Sequence, residues 1–185
     1  MSDPTSWRGA DRPDGRPLEG RIIRLERLTA AHAADLSEVL CGPGLAPLYT
    51  YMAETPPVAP GEVMDWVTTV AGKADPLFYA AIDRATGRAI GRAALMRIDP
   101  ANGVIEVGAI LWSPALQRTP AATEAIYLFA RHVFEDLGYR RFEWKCNALN
   151  APSRRAALRF GFTFEGVFRQ HMVVKGLNRD TAWYA

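Results

Sequence analysis

A chain of 185 residues is long enough to bury its own core and short enough to be read as one domain. With 49% hydrophobic and 23% charged residues it has an ordinary globular composition, and a net charge of +2 gives no ground for a nucleic-acid or membrane-surface partner. No secretory leader pattern opens the chain and no apolar run could span a bilayer. Cys41 and Cys146 stand apart without zinc-ligand spacing, so reduced thiols in a cytoplasmic protein are the expectation.

Residues 1–20 are rich in Pro, Gly, Arg and Asp and lack periodicity, which predicts a flexible or draped segment with Trp7 as its one anchor, ahead of a domain over 21–185. Arg21–Leu28 alternates as a strand, and Thr29 is a natural N-cap for a helix over Ala30–Leu40 that Gly42, Pro43 and Gly44 end. A loop holding Tyr49 and Tyr51 follows, then helical spacing over Gly61–Lys73. Pro76–Asp83, Arg88–Ile98 and Val104–Trp112 read as an antiparallel meander with turns at Arg84–Gly87 and Pro100–Gly103. Pro120–Leu137 places Ala122, Ile126, Phe129, Val133 and Leu137 on one helical face, with Gly138 as the residue that closes it. Arg140–Cys146 reads as a strand, Ala151–Phe160 as a helix capped by Asn150, and Phe162–Lys175 and Arg179–Ala185 as a final hairpin. The chain ends inside that last strand, which implies either a truncated chain or a short strand, since the strand is read as an edge.

The segment from Val104 to Ala125 organises the rest. A β-rich run carrying one carboxylate, Glu106, passes through a small-residue turn into a helix with Pro120 in its first turn. The N–H groups at such a helix start have no helical acceptor and sit at the positive end of its dipole, so they form a site for an anion. Pro120 presets the helical φ but removes one donor, leaving the amides of Arg118, Thr119, Ala121, Ala122 and Thr123 with the Thr119 hydroxyl and the Arg118 guanidinium. A plain Pro-initiated helix with Thr119 as N-cap is the alternative.

This element order, together with Gln117-Arg118-Thr119-Pro120-Ala121-Ala122 and the run from Asn150 to Gly166, resembles the GNAT superfamily of acetyl-CoA-dependent N-acetyltransferases, in particular its RimJ/RimL-like branch. The first motif matches the family's Gln/Arg-x-x-Gly-x-Gly/Ala pyrophosphate loop, with Pro120 where the family has glycine. The resemblance covers residues from Arg21 to the end. It implies a mixed α/β (α+β) fold, a largely antiparallel sheet of about seven strands flanked by about four helices. It further implies acetyl-CoA as acyl donor with no metal and direct attack by a primary amine of a peptide N-terminus or small molecule; a homodimer is the one assembly considered.

Within that resemblance Glu106, in a Glu-x-Gly context with Val107 and Gly108, is the candidate base for the amine, or else a strand carboxylate paired with Arg92 or Arg141. Ser153 is the candidate proton donor to the thiolate. Asn150 would hydrogen-bond the pantetheine or order the site. The backbone of Ile110, Leu111 and Trp112 would meet the oxyanion and pair with the pantetheine. Gln117 through Thr123 would bind the pyrophosphate. Tyr49, Tyr51, Trp144 and His171 are candidate acceptor-pocket side chains. His32, His132 and His171 lack metal spacing, and Cys146 has no visible catalytic partner and reads as a core residue. A non-catalytic acyl-CoA sensor with the same fold is the competing reading, kept open by Pro120.

Overall fold

A computed structural model describes residues 4–185. One sheet of eight strands runs through the molecule: β1 (Leu18–Glu19), β2 (Ile23–Arg27), β3 (Leu77–Asp83), β4 (Ala89–Asp99), β5 (Val104–Trp112), β6 (Arg141–Asn147), β7 (Phe164–Val174) and β8 (Leu177–Tyr184), in the spatial order β1-β2-β3-β4-β5-β6-β8-β7. Every neighbouring pair is antiparallel except β5 and β6. That parallel step follows from the crossover helix α3 (Pro120–Arg131), which carries the chain from the end of β5 back to the start of β6. The remaining helices are α1 (Ala33–Leu40), α2 (Pro60–Val70) and α4 (Ala151–Arg159).

Helices α3 and α4 cover one face of the sheet. There the expected stripe of Ala122, Ile126, Phe129, Val133 and Leu137 packs with Leu25, Tyr79, Ile105, Val107, Phe142 and Trp144. Helices α1 and α2 cover only part of the other face, where Leu36, Leu40, Val63 and Val67 meet Phe78, Ala80, Ala94 and Leu111. Beyond β5 that second face carries no helix. The alternation of side chains along each strand therefore leaves Glu106, Glu143 and Lys145 under side chains of the sheet itself.

Several expectations change. The additional strand, β1, lies in the segment read as draped, and Leu18 from it enters the core at 4% exposure. Trp7 donates from Nε1 to the Ala101 carbonyl at 2.6 Å, and its ring fills the space over Gly103, where a Cβ would lie 2.5 Å from it. The long helix ends early. His132–Asp136 forms a π-turn, in which Leu137 N donates to His132 O, pinned by the contact of His132 Nδ1 with Asp136 at 2.8 Å. That turn is a fifth helical segment, and three 3₁₀ segments (Pro4–Ser6, Ala30–His32 and Pro43–Tyr49) replace stretches read as tail, helix and loop. The last strand is no edge: β8 lies between β6 and β7, and β7 forms the rim.

Candidate functional site: a gap between two parallel strands

The parallel pair of β5 and β6 is short. Val104 to Val107 pair with Arg141 to Trp144, and no pairing continues beyond them. The upper half of β5, from Gly108 to Trp112, is thus released from its neighbour. A bulge accompanies the release: Ala109 has a φ of 49°, and pairing with β4 slips between Arg92/Leu111 and Ala94/Gly108. A bulge re-aims the peptides around it, here those that lead into Ile110, Leu111 and Trp112.

Glu106 lies on the lower lip of this gap, on the face not covered by α3 and α4, at 3% exposure. It pairs with neither Arg92 nor Arg141. Its Oε2 instead receives Arg97 Nη1 at 2.7 Å and Lys145 Nζ at 3.0 Å, and Lys145 also pairs with Glu143 at 2.6 Å. Arg92 is taken by Glu54, and Arg141 by Glu143 and Glu165. The other oxygen, Oε1, lies over Gly108, 3.0 Å from where a Cβ would stand. This is the physical content of the Glu-x-Gly spacing: two residues apart on one side of a strand, with no side chain at the second position, the carboxylate can lie flat toward the gap. Lys145 lies 3.9 Å from the centre of the Trp183 ring. Trp183 packs with Phe168 and His171, and His171 Nδ1 meets Thr181 Oγ1 at 2.9 Å. His171 and Glu106 therefore share one face, linked through Trp183 and Lys145.

Ser153 stands on the opposite face. It lies in the first turn of α4, where Asn150 Oδ1 accepts its N–H at 3.1 Å. Its Oγ accepts the indole N–H of Trp144 at 3.0 Å. An indole nitrogen only donates, so the Ser153 hydroxyl keeps its own proton to give, here toward the sulfur of Cys146. Trp144 belongs to this side, 5% exposed and packed on Phe160 and Phe162, and not to the acceptor wall for which it was a candidate. Burial pushes the nearby Cys146 thiol up, as befits a core cysteine rather than a nucleophile.

At the helix start Arg118 takes a φ of 61° and Thr119 caps α3. The cap narrows the set of anion donors. Ala122 N is engaged by Thr119 Oγ1 at 3.2 Å and Thr123 N by Thr119 O at 3.4 Å, so the amides of Arg118, Thr119 and Ala121 are those left to an anion. Gln117 turns inward, its Nε2 donating to the Trp112 carbonyl at 3.0 Å, and so ties this loop to the end of β5. Three amides left at a helix start, next to a strand edge that β6 leaves unpaired, are donors of the kind a pyrophosphate and a pantetheine arm take, and in that respect the residues present fit acetyl-CoA.

A family model for the acetyltransferase (GNAT) domain matches residues 23–163. The chain belongs to the GNAT family. A GCN5-related N-acetyltransferase from Brucella melitensis is 52% identical, with a TM-score of 0.94 over 97% of this chain and 82% of that one. A GNAT-family protein from Chromobacterium violaceum ATCC 12472 is 34% identical, with a TM-score of 0.90 over 100% of this chain and 92% of that one. The ribosomal-protein-serine acetyltransferase of Escherichia coli (strain K12) is 31% identical over 96 residues, 52% of this chain, and the match spans about half, 53%, of that protein's length. The fold is thus shared with the Brucella and Chromobacterium structures over nearly the whole chain.

Sequence reasoning missed the cations that surround Glu106 and the residues around the Tyr49 loop. Lys145 was visible only as a charge on a strand, Arg97 as a residue near a strand end. Tyr49 is a candidate acceptor-pocket side chain. It is 5% exposed and its hydroxyl donates to the Leu40 carbonyl at 3.0 Å, which makes it a wall and not a mobile side chain. Tyr51 is half-buried in the loop beside it. Arg92, the one charged residue inside an otherwise buried stretch of β4, was the signal available in the sequence for what lies there.

Proposed function

We propose that this protein moves an acetyl group from acetyl-CoA directly onto a primary amine at the gap between β5 and β6. The observation that carries the reading is the gap itself: the paired part of two parallel strands ends where Glu106 lies on one face and Ser153 on the other. Acetyl-CoA supplies the activated thioester carbonyl. The amides of Arg118, Thr119 and Ala121 hold its pyrophosphate, and the edge of β5 that β6 leaves unpaired, at Ile110 and Leu111, accepts its pantetheine as an added strand would. Asn150 fixes the start of α4 beside that arm. The bulge at Ala109 aims an N–H of the Ile110–Trp112 stretch at the carbonyl oxygen, where negative charge develops.

The amine reaches the gap from the Glu106 face, past Tyr51, His171 and Trp183. Glu106 Oε1 takes the proton from the ammonium form, directly or through one water, while Arg97 and Lys145 hold Oε2. Ser153, its oxygen held by Trp144, gives its proton to the departing sulfur and is reprotonated, through solvent, by the second proton that the nitrogen sheds as the amide forms. The two faces divide the work: amine and base on one, thiol and acid on the other. The acceptor we propose is a peptide N-terminus, in keeping with the name of the E. coli relative, which specifies a serine of a ribosomal protein, or a small amine presenting the same group.

A second reading, acyl-CoA binding without transfer, draws on the helix start, where Pro120 lacks an N–H and Thr119 occupies two more. Calorimetric titration of acetyl-CoA and CoA into the protein and into its Glu106→Gln variant, followed by acetylation of N-terminal peptides, separates the two. Saturable binding with turnover that Glu106→Gln abolishes supports transfer. Binding without turnover supports the second reading, and no binding removes both.

A further inference from the structure

The ion pairs around Glu106 form a balanced set: three carboxylates, Glu106, Glu143 and Glu165, against three cations, Arg97, Lys145 and Arg141. A fourth cation stands on the same face outside that set. Ala182 and Tyr184 of β8 point into the core beneath α3 and α4. The alternation of the strand therefore puts Arg179, Thr181 and Trp183 on the opposite face, the one that holds Glu106. Lys145 lies over Trp183 and His171 meets Thr181, and Arg179 is the next position in that row. Pairing of β6 with β8 ends at Asn147, opposite Thr181, so Arg179 stands beyond the end of β6, across from Met172 of β7.

Among the described residues nothing accepts a hydrogen bond from the Arg179 guanidinium or forms an ion pair with it. Its Nε is covered by protein and has no acceptor, as is the Nε1 of Trp183 in the same row. The neighbouring carboxylate, Asp180, is turned to the other side and occupied: its Oδ1 accepts from Gln170 N at 2.7 Å and from Asn178 Nδ2 at 2.9 Å. Burial lowers the pKa of Arg179, against the pull of Cys146 and Glu106 and with the push of Arg97. A guanidinium nonetheless keeps its proton at any ordinary pH. Arg179 is thus a half-buried fixed charge without a counter-charge, a cost that an incoming anion would relieve. It lies across the sheet from α3 and α4, away from the helix start read as the pyrophosphate site, so the anion it suits comes with the amine.

Resting on the acetyltransferase reading, we propose that Arg179 selects an acidic acceptor, by receiving a carboxylate that the acceptor carries several bonds from its amine. The planar guanidinium offers paired N–H donors to the two carboxylate oxygens. Spacing narrows the class. Glu106 is level with Glu143, and Arg179 lies six positions further on, four to Asn147 and two more past Thr181. The two backbones are well apart, and only the long side chains approach each other. A free α-amino acid, whose carboxylate is two bonds from its nitrogen, cannot serve both groups at once. An Asp or Glu side chain in second or third place of a peptide N-terminus can. Arg179 binds and discriminates; deprotonation and acyl transfer stay with the groups at the strand gap.

The test is steady-state acetylation, with acetyl-CoA as donor, of peptides that differ only in carrying Asp, Glu, Ala or Lys at the second or third residue, with free alanine and free glutamate beside them. The unmodified protein should favour the Asp and Glu peptides over their Lys counterparts at least tenfold in kcat/KM, through KM, and the margin should shrink as salt is added. This arm needs no variant and so carries the test if the variants do not fold. Arg179→Gln should raise KM for the acidic peptides tenfold or more, with kcat within about threefold and the calorimetric affinity for CoA within twofold. Arg179→Glu should reverse the order and favour the Lys peptides, which a merely structural role would not produce. Turnover without an acidic preference in the unmodified protein, or a preference that persists in a folded Arg179→Gln, would overturn the carboxylate site and leave the acetyltransferase reading intact. Faster turnover of free alanine or glutamate than of every acidic peptide would overturn the site as well, because the spacing would be wrong. Absence of turnover in the unmodified protein, with or without CoA binding, would overturn the underlying reading and the site with it.

Discussion

The two ends of the sheet are built differently. On β3 six of seven residues are buried, because α3 lies on one side of it and α1 with α2 on the other. On β7 nine of eleven residues are exposed, although the strand is longer. The packed end can afford no charge without a partner beneath the helices, and Arg92 with Glu54 is the case where it has one. The open end collects its charges at the seam, where Glu106, Glu143 and Lys145 lie together at 8% side-chain exposure or less. Stability is concentrated on one side of β5 and chemistry at its border with the other.

The comparison breaks first at Glu106. If the seam is where the proton is taken, Glu106→Gln lowers kcat about 100-fold or more while CoA affinity and melting temperature stay close to the parent. A rate within a few fold of the parent would place the base elsewhere.

The packed end should announce itself at high pH. Burial pushes the hydroxyls of Tyr49 and Tyr79 up to about 12 from the ordinary 10. Below pH 10 both are neutral in the folded and the unfolded chain, and their contribution is complete. Between pH 10 and 12 the unfolded chain ionises first, so stability falls, by roughly 2 to 3 kcal/mol for each at full expression. Urea unfolding across this range checks it. Tyr79→Phe should remove its share of the decline and cost little at neutral pH, since its buried hydroxyl has no hydrogen-bond partner among the described residues. An undiminished decline in that variant would assign it to other groups.

Gly108→Ala sharpens the comparison further. The added Cβ would lie 2.5 Å from Met96 Sδ and 3.0 Å from Glu106 Oε1. The flexible Met96 can yield, and the carboxylate must shift with it. We expect kcat to fall about tenfold or more from misplacement, with the thermal midpoint nearly unchanged. Equal losses of stability and rate would show the seam to be as rigid as the packed end.

The smallest effect is set for Thr119→Ala, which removes the cap of α3. The loss should be about 1 kcal/mol in urea unfolding. CoA affinity should hold, because the Ala122 amide bonded to the Thr119 hydroxyl is set free to face the pyrophosphate. A tenfold weaker CoA would instead make the hydroxyl a direct ligand.

Much of this frame was legible in the sequence because it is local. Val104–Trp112 stands with the bounds that alternation and its flanking turns imply, and the α3 stripe is buried as its 3.6-residue spacing requires. Glu106 and Gly108 could be singled out because their roles depend on two adjacent positions of one strand. What could not be read depends on approach between distant segments. Glu54 and Arg92 lie 38 positions apart and have no shared motif, and Lys145 reaches Glu106 only because two strands run parallel. The place of β8 inside the sheet is likewise a matter of where a hairpin docks, which neither of its strands encodes alone. The π-turn after α3 needed the pairing of His132 with Asp136, invisible to a helical periodicity that continues through it.

One contact from the hairpin has a bearing on traffic. The strands β7 and β8 continue past the last paired residue of β6, Asn147, and at their turn Lys175 Nζ donates to the Tyr49 carbonyl at 2.9 Å. This bond ties the open end of the sheet to the packed end. A guest that enters between the hairpin turn and the Tyr49 segment either is slender enough to leave the bond in place or breaks it, at roughly 1.5 to 3 kcal/mol for a charged hydrogen bond.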